Sequence, residues 1–544
     1  MKEQPAQRLA GAETAFTPTE IGGTDEKRAK LSQDDVIRRL FTPASNLPEP
    51  RNNQAIMIIT AGIERSVTHR QIENLIGYAI DQLKARGIKE GDKIVFYSEN
   101  SPEFSSAILA CWALNAMASL VDYRAERSEV LEISQKLGAK LLVTSKKLYR
   151  DCNSKTNMFT EEGIGVLDVT AFAEFKNTAP QSQLDINTID LDRPAFTILT
   201  SGTTANPKAA VHNLRSLLQN IVDLAEAADL ESNMTALMPI PISHIFGLSV
   251  FLVMQVRGVK IVLTELDPVS FVKAVHRHKP ELIAALPQFY GALLSAPEGA
   301  IDLSKTRLLL CGGAPLTVAL ADKFEATFGK QLNNGYGSTE SKLVTLNKGG
   351  PALSVGKPIG SAKVEIVNEQ NEVLPEGKSG EVRITGPMLM TGYLDNEEES
   401  KKVLHDGHYY TGDIGRFEDG YLFVVGRKSD IIFVAGVVVQ SGEVEEALRN
   451  NHNVKDVAVT ALQNKRLGQI IKASVVIVDD KIGDKLKSSD QNERIEARRE
   501  LQSQFKAYCE QHLSRYKRPM KWDFLGPHDN LPKSLAGKTD KKTM

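Results

Sequence analysis

Nine consecutive residues, Thr200, Ser201, Gly202, Thr203, Thr204, Ala205, Asn206, Pro207 and Lys208, set small hydroxyl side chains and a glycine ahead of a single cation. Such a run can aim backbone N–H groups and several hydroxyls at phosphate oxygens while the Lys208 ammonium adds a point charge. That is the donor set a triphosphate demands. Ordinary Ser/Thr-rich turns rarely put this many donors beside a lysine. The loop is not a P-loop: the only Gly-Lys-Thr triplet, Gly537, Lys538 and Thr539, has Pro532 where that motif needs its first glycine. Metal chemistry on clustered side chains is not expected. Cys111, Cys152, Cys311 and Cys509 lie far apart without zinc-type spacing and are expected as scattered reduced thiols. His276 and His278 are two apart in a helical stretch, where side chains point in different directions, so they are expected on the surface with no shared metal.

The element that must hold the phosphate loop is the apolar run 196–199, predicted as a strand. Comparable runs at 93–97, 140–143, 235–239, 261–263, 282–286 and 307–310 alternate with helical patterns, including a helix predicted over 102–118. This is the order of an α/β chain: a large N-terminal domain of layered, largely parallel sheets with helices. After about residue 385, turn pairs such as Asp419 and Gly420 alternate with strand-like runs at 421–425 and 431–434, which predicts antiparallel ribbons. A small α+β C-terminal domain is expected from Arg427, with strands at 454–459 and 473–478 and a charged amphipathic helix over 492–513. The expected division is a disordered tail over 1–33, a large domain over 34–426 and a small mobile domain over 427–544.

A chain of 544 residues holds several folding units with ample core. Lys plus Arg at 66 against Asp plus Glu at 68 gives a formal net charge of -2, so no overall basic field draws it onto nucleic acid or an anionic membrane. Small-molecule chemistry is the expectation. The opening residues are polar, carry Glu3, Glu13, Glu20, Asp25 and Glu26, and form no export signal. The most lipid-like segment, 105–121, is rich in small residues and interrupted by Asn115, so a buried helix is predicted there and no membrane span. Reduced thiols and the missing export signal together imply the cytoplasm.

With its neighbours in the chain, the phosphate loop resembles the signature of the acyl-adenylate-forming superfamily, which includes acyl-CoA synthetases, aryl-CoA ligases, luciferases and the adenylation domains of peptide synthetases. Further matches follow in that family's order. Pro241, Ile242, Ser243, His244, Ile245, Phe246 and Gly247 resemble its substrate segment, and Cys311, Gly312, Gly313, Ala314, Pro315 and Leu316 its adenine-pocket segment. Gly335, Tyr336, Gly337, Ser338, Thr339 and Glu340 resemble its Tyr-Gly-x-Thr-Glu motif. Tyr410, Thr411, Gly412 and Asp413 are similar to its ribose-binding motif, and Gly426, Arg427, Lys428, Ser429 and Asp430 to its interdomain hinge. Residues 532–538 resemble the motif that bears its C-terminal catalytic lysine, here Lys538.

The resemblance implies ATP-dependent activation of a carboxylic acid as acyl-AMP with release of pyrophosphate, then transfer to a thiol, with CoA foremost. It implies ATP, Mg²⁺ and CoA as cofactors. A carboxylate is a poor nucleophile toward an anionic triphosphate, so phosphate charge must be neutralised, attack on the α-phosphorus aligned and water excluded. By the resemblance, Glu340 would hold Mg²⁺, Thr339 would hydrogen-bond the α-phosphate and Asp413 would accept both ribose hydroxyls. Gly335 lies in the same motif as Tyr336, which would pack on adenine; Gly313, Ala314 and Pro315 would line the adenine pocket, and Arg427 would sit near the ribose. Lys538 would bridge the acyl carboxylate and α-phosphate, His244 would act from the substrate segment, and Gly436 would join the cofactor-binding set.

Absences narrow the substrate. Amino-acid-activating members carry an Asp in the substrate segment, and 241–247 has no carboxylate; the aliphatic stretch 220–294 suits a fatty or aryl acid. Departures bear on the acceptor. Ala205 and Ala209 stand where the family usually has glycine, Ser429 where its hinge has Asp or Lys, and no lysine precedes Gly436. Three alternatives to a CoA ligase follow: an enzyme loading the phosphopantetheine of a separate acyl carrier protein, a luciferase-like oxidoreductase, and a nucleotide-binding pseudoenzyme.

Overall fold

The computed structural model describes residues 31–46, 54–60, 63–151, 158–180, 184–199, 208–434, 437–464, 468–532, 541 and 544. Within Leu31–Met544 the chain forms one compact unit. The first helix, Gln33–Phe41, is closed by a capping box between Ser32 and Asp35 and buries Val36, Ile37, Leu40 and Phe41. Residues 31–33 therefore start the fold, where the sequence had placed the end of a tail.

Two large sheets carry the architecture. The nine-stranded sheet holds a parallel set from Gln54–Thr60 through Lys260–Thr264, Thr235–Met238, Leu282–Ala285 and Leu308–Cys311 to Asn333–Ser338, with antiparallel strands at its edges. The seven-stranded sheet has Gly165–Asp168, Leu141–Thr144, Lys93–Tyr97, Met117–Leu120 and Pro194–Leu199 in parallel, then Ala209–Asn213 and Gly392–Tyr393 antiparallel. One core cluster draws on both sheets and on the helices His69–Ala85, Pro102–Ala113, Leu214–Ala228 and Ile245–Val256. His69–Ala85 shows why: after the Thr68–Gln71 capping box, Ile72, Leu75, Ile76, Ala79, Ile80 and Leu83 recur at three- and four-residue spacing and are all buried. Largely parallel sheets covered by helices are thus what the apolar runs indicated.

The helix over Pro102–Ala113 is buried at every position. It is shorter than the 102–118 the sequence predicted, because Asn115 turns the chain in the left-handed region (φ 53°) and Met117–Leu120 becomes a central strand. Helix and strand are both enclosed, so no change of apolar period marked the join.

Two smaller sheets follow. Lys363–Val367, Gly380–Thr385, His408–Glu418, Leu404–His405 and Tyr421–Arg427 form an antiparallel sheet in which Asp413 lies opposite Arg427. After the short turn Lys428–Asp430, the strands Ile431–Val434, Val437–Gln440, Val454–Asn464, Gly468–Ile477 and Lys521–Leu525 build a separate sheet. The 22-residue helix Gln491–His512 packs on it through Ala497, Leu501, Phe505 and Cys509. The fold is therefore a large α/β N-terminal portion with a smaller α+β C-terminal one.

Candidate active site

Several of the residues singled out by type and spacing follow the carboxyl ends of parallel strands, where open α/β sheets leave backbone groups and loops free to meet a ligand. Leu308–Cys311 runs into Gly313, Ala314 and Pro315, which are exposed, and Asn333–Ser338 runs into Thr339 and Glu340. Thr235–Met238 leads to His244, the N-cap of Ile245–Val256, and Met117–Leu120 leads to Asp122. Pro194–Leu199 ends directly before the loop expected to bind phosphate, whose residues Thr200, Ser201, Gly202, Thr203 and Thr204 lie outside the described residues, as do Gly436 and Lys538.

Contacts bring the two sheets together at these ends. His244 Nε2 is 2.6 Å from Asp122 Oδ2, and Arg124 Nε donates to Asp122 Oδ1 at 2.9 Å. Burial pulls the Asp122 carboxyl upward, but hydrogen bonds from Arg124 and His244 outweigh it and hold the group well below the ordinary carboxylate range. Phe246, two residues beyond His244, covers the glycine pair of the next loop: a Cβ on Gly312 would meet its ring at 3.1 Å. Gly313 has φ +76°, where a side chain is strained, and a Cβ there would stand 2.7 Å from Leu286 Cδ2, so glycine is favoured.

A second corner joins the nine-stranded sheet to the antiparallel one. Tyr336 Oη donates to Asp413 Oδ2 at 2.7 Å, and Arg427 Nε stands 3.2 Å from Asp413 Oδ1. Burial first, and then the Asp413 charge, push the Tyr336 phenol well above its usual range, so it stays a donor. Asp413 thus offers a fixed carboxylate beside a ring and a guanidinium, a set suited to vicinal hydroxyls and a planar base.

The third corner is the hairpin bearing Thr339 and Glu340. A Cβ on Gly337 would fall 1.9 Å from Lys342 O, so this close return of the chain requires glycine. Glu340 is 9% exposed and its Oε1 accepts the Tyr393 hydroxyl at 2.7 Å. Oε2 accepts no hydrogen bond among the described residues. Tyr393 lies on Gly392–Tyr393, which pairs with Ala209–Asn213 just after Lys208. Lys208 Nζ sits 5.2 Å from the Tyr393 ring centroid and is ion-paired to Glu399, whose carboxyl the Lys208 and Lys402 hydrogen bonds lower to about 2. Cation, phenol and carboxylate therefore share one place, as binding of a metal-bearing phosphate chain requires.

Several contributors were not legible in the sequence. Tyr393, Glu399 and Asp122 are remote in sequence from the groups they hold, Arg124 lies two residues from Asp122 outside every motif, and His212 and Lys342 are fully buried behind the hairpin. His278 was expected at the surface but its side chain is only 11% exposed, 3.2 Å from Glu64; His276 is exposed, with Nδ1 2.6 Å from Ala300 O. Cys111, Cys311 and Cys509 are buried free thiols, and no three His, Cys, Asp or Glu side chains form a metal cluster among the described residues. Among those residues no helix is long and apolar enough to cross a membrane.

Comparison with known proteins agrees with this geometry. A family model described as AMP-binding enzyme matches residues 48–394, and one described as AMP-binding enzyme C-terminal domain matches 443–538. The 2-succinylbenzoate–CoA ligase of Bacillus licheniformis is 30% identical over 84% of this chain and 90% of its own. The feruloyl-CoA synthase of an Amycolatopsis species is 27% identical over 87% of this chain and 92% of its own. Among solved structures, o-succinylbenzoate CoA synthetase from Bacillus subtilis with its acyl-adenylate intermediate superposes with a TM-score of 0.78, at 23% identity, covering 93% of this chain and 97% of that one. The same enzyme with ATP and magnesium ion gives a TM-score of 0.77 at 24% identity, covering 93% and 98%.

Proposed function

Since the chain belongs to the AMP-binding enzyme family, we propose that it activates a fatty or aryl carboxylic acid with ATP and hands the acyl group to CoA. The observation that carries this reading is one set of contacts: Glu340 and Lys208 both meet Tyr393, while Tyr336, Asp413 and Arg427 form a single corner. The family and its CoA-ligase relatives support it.

In the first half-reaction a carboxylate oxygen of the acid attacks the α-phosphorus, and the bond to the bridging oxygen of pyrophosphate breaks. In the second, the CoA thiolate attacks the acyl carbonyl and AMP leaves with the electron pair. Asp413 accepts the ribose hydroxyls with Arg427 beside it, Tyr336 packs on the base, and Gly313, Ala314 and Pro315 border it. Thr339 donates to the α-phosphate. Lys208, with the hydroxyl loop before it, meets the departing pyrophosphate charge, and His244, held by Asp122, borders the acyl group. Lys538 meets the charge that builds between carboxylate and α-phosphate, carried by a C-terminal domain over 427–544 that turns about Ser429 between the half-reactions.

Glu340 fits magnesium. It is a buried carboxylate with one oxygen oriented by Tyr393 and the other without a partner among the described residues, and a hard cation completes its shell with phosphate oxygens and water. When bound, the ion neutralises phosphate charge during displacement.

The test is a panel of acids incubated with ATP, read as pyrophosphate and as thioester, with CoA or with a carrier protein. Acid-dependent pyrophosphate followed by acyl-CoA is expected. Thioester only on the carrier protein would replace CoA as acceptor, and no acid-dependent pyrophosphate would refute the assignment.

A further inference from the structure

Three chain segments meet at one buried amine behind the Thr339–Glu340 hairpin. Lys342 is fully buried, and its Nζ lies 2.7 Å from His212 Nδ1, 3.0 Å from Ser216 Oγ and 2.6 Å from Met388 O. The Ser216 hydroxyl donates to Asn213 O at 2.9 Å, so in its contact with Lys342 it accepts. With Nδ1 occupied, His212 carries its proton on Nε2 and donates to Thr339 O at 2.9 Å. The third segment closes on the same turn: Met390 N donates to Glu340 O at 2.8 Å and Thr391 N to Val211 O at 2.8 Å. The carbonyls of Thr339 and Glu340 are therefore both held, one by His212 and the other by the segment that Lys342 anchors.

The backbone points the same way. Lys342 closes the loop of Thr339, Glu340 and Ser341 opposite Ser338, at φ 59°. Left-handed positions after such short loops favour glycine, since a Cβ is strained there. A lysine at this place trades an unstrained turn for an amine in the core, and such local conflict clusters where a geometry is being enforced.

We propose that His212 and Lys342 are positioning residues for adenylation: through Thr339 O and Met388 O they fix the turn that presents the Thr339 side chain and the Glu340 carboxylate. The inference rests on reading that turn as the phosphate and magnesium seat. A displacement of about 1 Å at such a seat can slow turnover by roughly 100-fold.

The experiment compares His212→Leu, His212→Gln and Lys342→Gly with wild type by acid-dependent pyrophosphate release across a magnesium series, well below each melting midpoint. His212→Leu is expected to lose about 10-fold or more in turnover and to need several-fold more Mg²⁺. His212→Gln, whose amide can donate where Nε2 does, should recover most of both. Lys342→Gly keeps the left-handed turn without the amine and should shift magnesium dependence in the same direction. Unchanged magnesium dependence overturns the inference, as does a loss in which Gln is no better than Leu, or failure of all three variants to fold. A wild type that releases no pyrophosphate with any acid overturns the reading of the site and this inference with it.

Discussion

Tyr336 and Asp413 belong to different sheets and are joined by one 2.7 Å hydrogen bond, which ties the ring to the carboxylate. Arg427, directly opposite Asp413 in the strand register, fixes the carboxylate from its other side.

Asp413→Ala should raise the ATP concentration needed for half-maximal adenylation. Two charge-assisted hydrogen bonds at about 1.5–3 kcal/mol each are lost, at roughly tenfold per 1.4 kcal/mol. Tyr336→Phe, which keeps the ring, should cost much less. ATP titrations of the pyrophosphate burst decide it, and unaltered ATP affinity in Asp413→Ala would remove this carboxylate from the ribose seat.

Glu340→Gln keeps the shape and the Tyr393 contact but weakens the ligand for a hard cation. Activity should fall and the magnesium optimum rise. Tyr393→Phe should give a smaller change of the same kind by freeing one carboxylate oxygen. A magnesium profile matching wild type in both variants would count against the metal seat.

Lys538→Ala separates the half-reactions. Removing a cation that meets developing charge should slow adenylate formation by roughly 100-fold or more, as other electrostatic stabilisers do. Thioester formation from supplied acyl-AMP and CoA should persist. Equal loss of both half-reactions in a folded variant would refute alternation of the C-terminal domain.

His69 makes stability depend on pH. It is buried at the first position of His69–Ala85, with no partner for Nδ1 among the described residues, and burial lowers its pKa to about 4. Between the ordinary 6.5 and about 4 the unfolded chain binds a proton that the folded one refuses. Stability from this group is therefore full above that window and is lost as pH falls through it, on the order of 2 kcal/mol by pH 5. Denaturant midpoints at pH 7 and pH 5 should differ less in His69→Gln than in wild type. Equal differences would exclude His69 as a source; His212, also lowered by burial, contributes in the same direction.

Motifs were legible where chemistry is local: the strand before the phosphate loop, the glycines around Tyr336 and the Asp413 turn each carry their own residue pattern. Partners brought by folding were not. Tyr393 reaches Glu340 only because Gly392–Tyr393 pairs with the strand after Lys208. Lys342 looked like one more polar residue past a motif that had ended at Glu340, and only its φ and burial distinguish it. Asp122 and His244 lie at the ends of strands in separate sheets, a proximity that no spacing encodes.

The pairing of Lys208 with Glu399 and Tyr393 has a consequence for the enzyme's own survival. An acyl-adenylate is a mixed anhydride that acylates free amines. Lys208 is tied to Glu399, and the buried Lys342 amine is enclosed by His212, Ser216 and Met388 O, away from solvent and any reagent in it. The same contacts that order Lys208 and Lys342 thus leave neither as a free amine for such an anhydride to acylate.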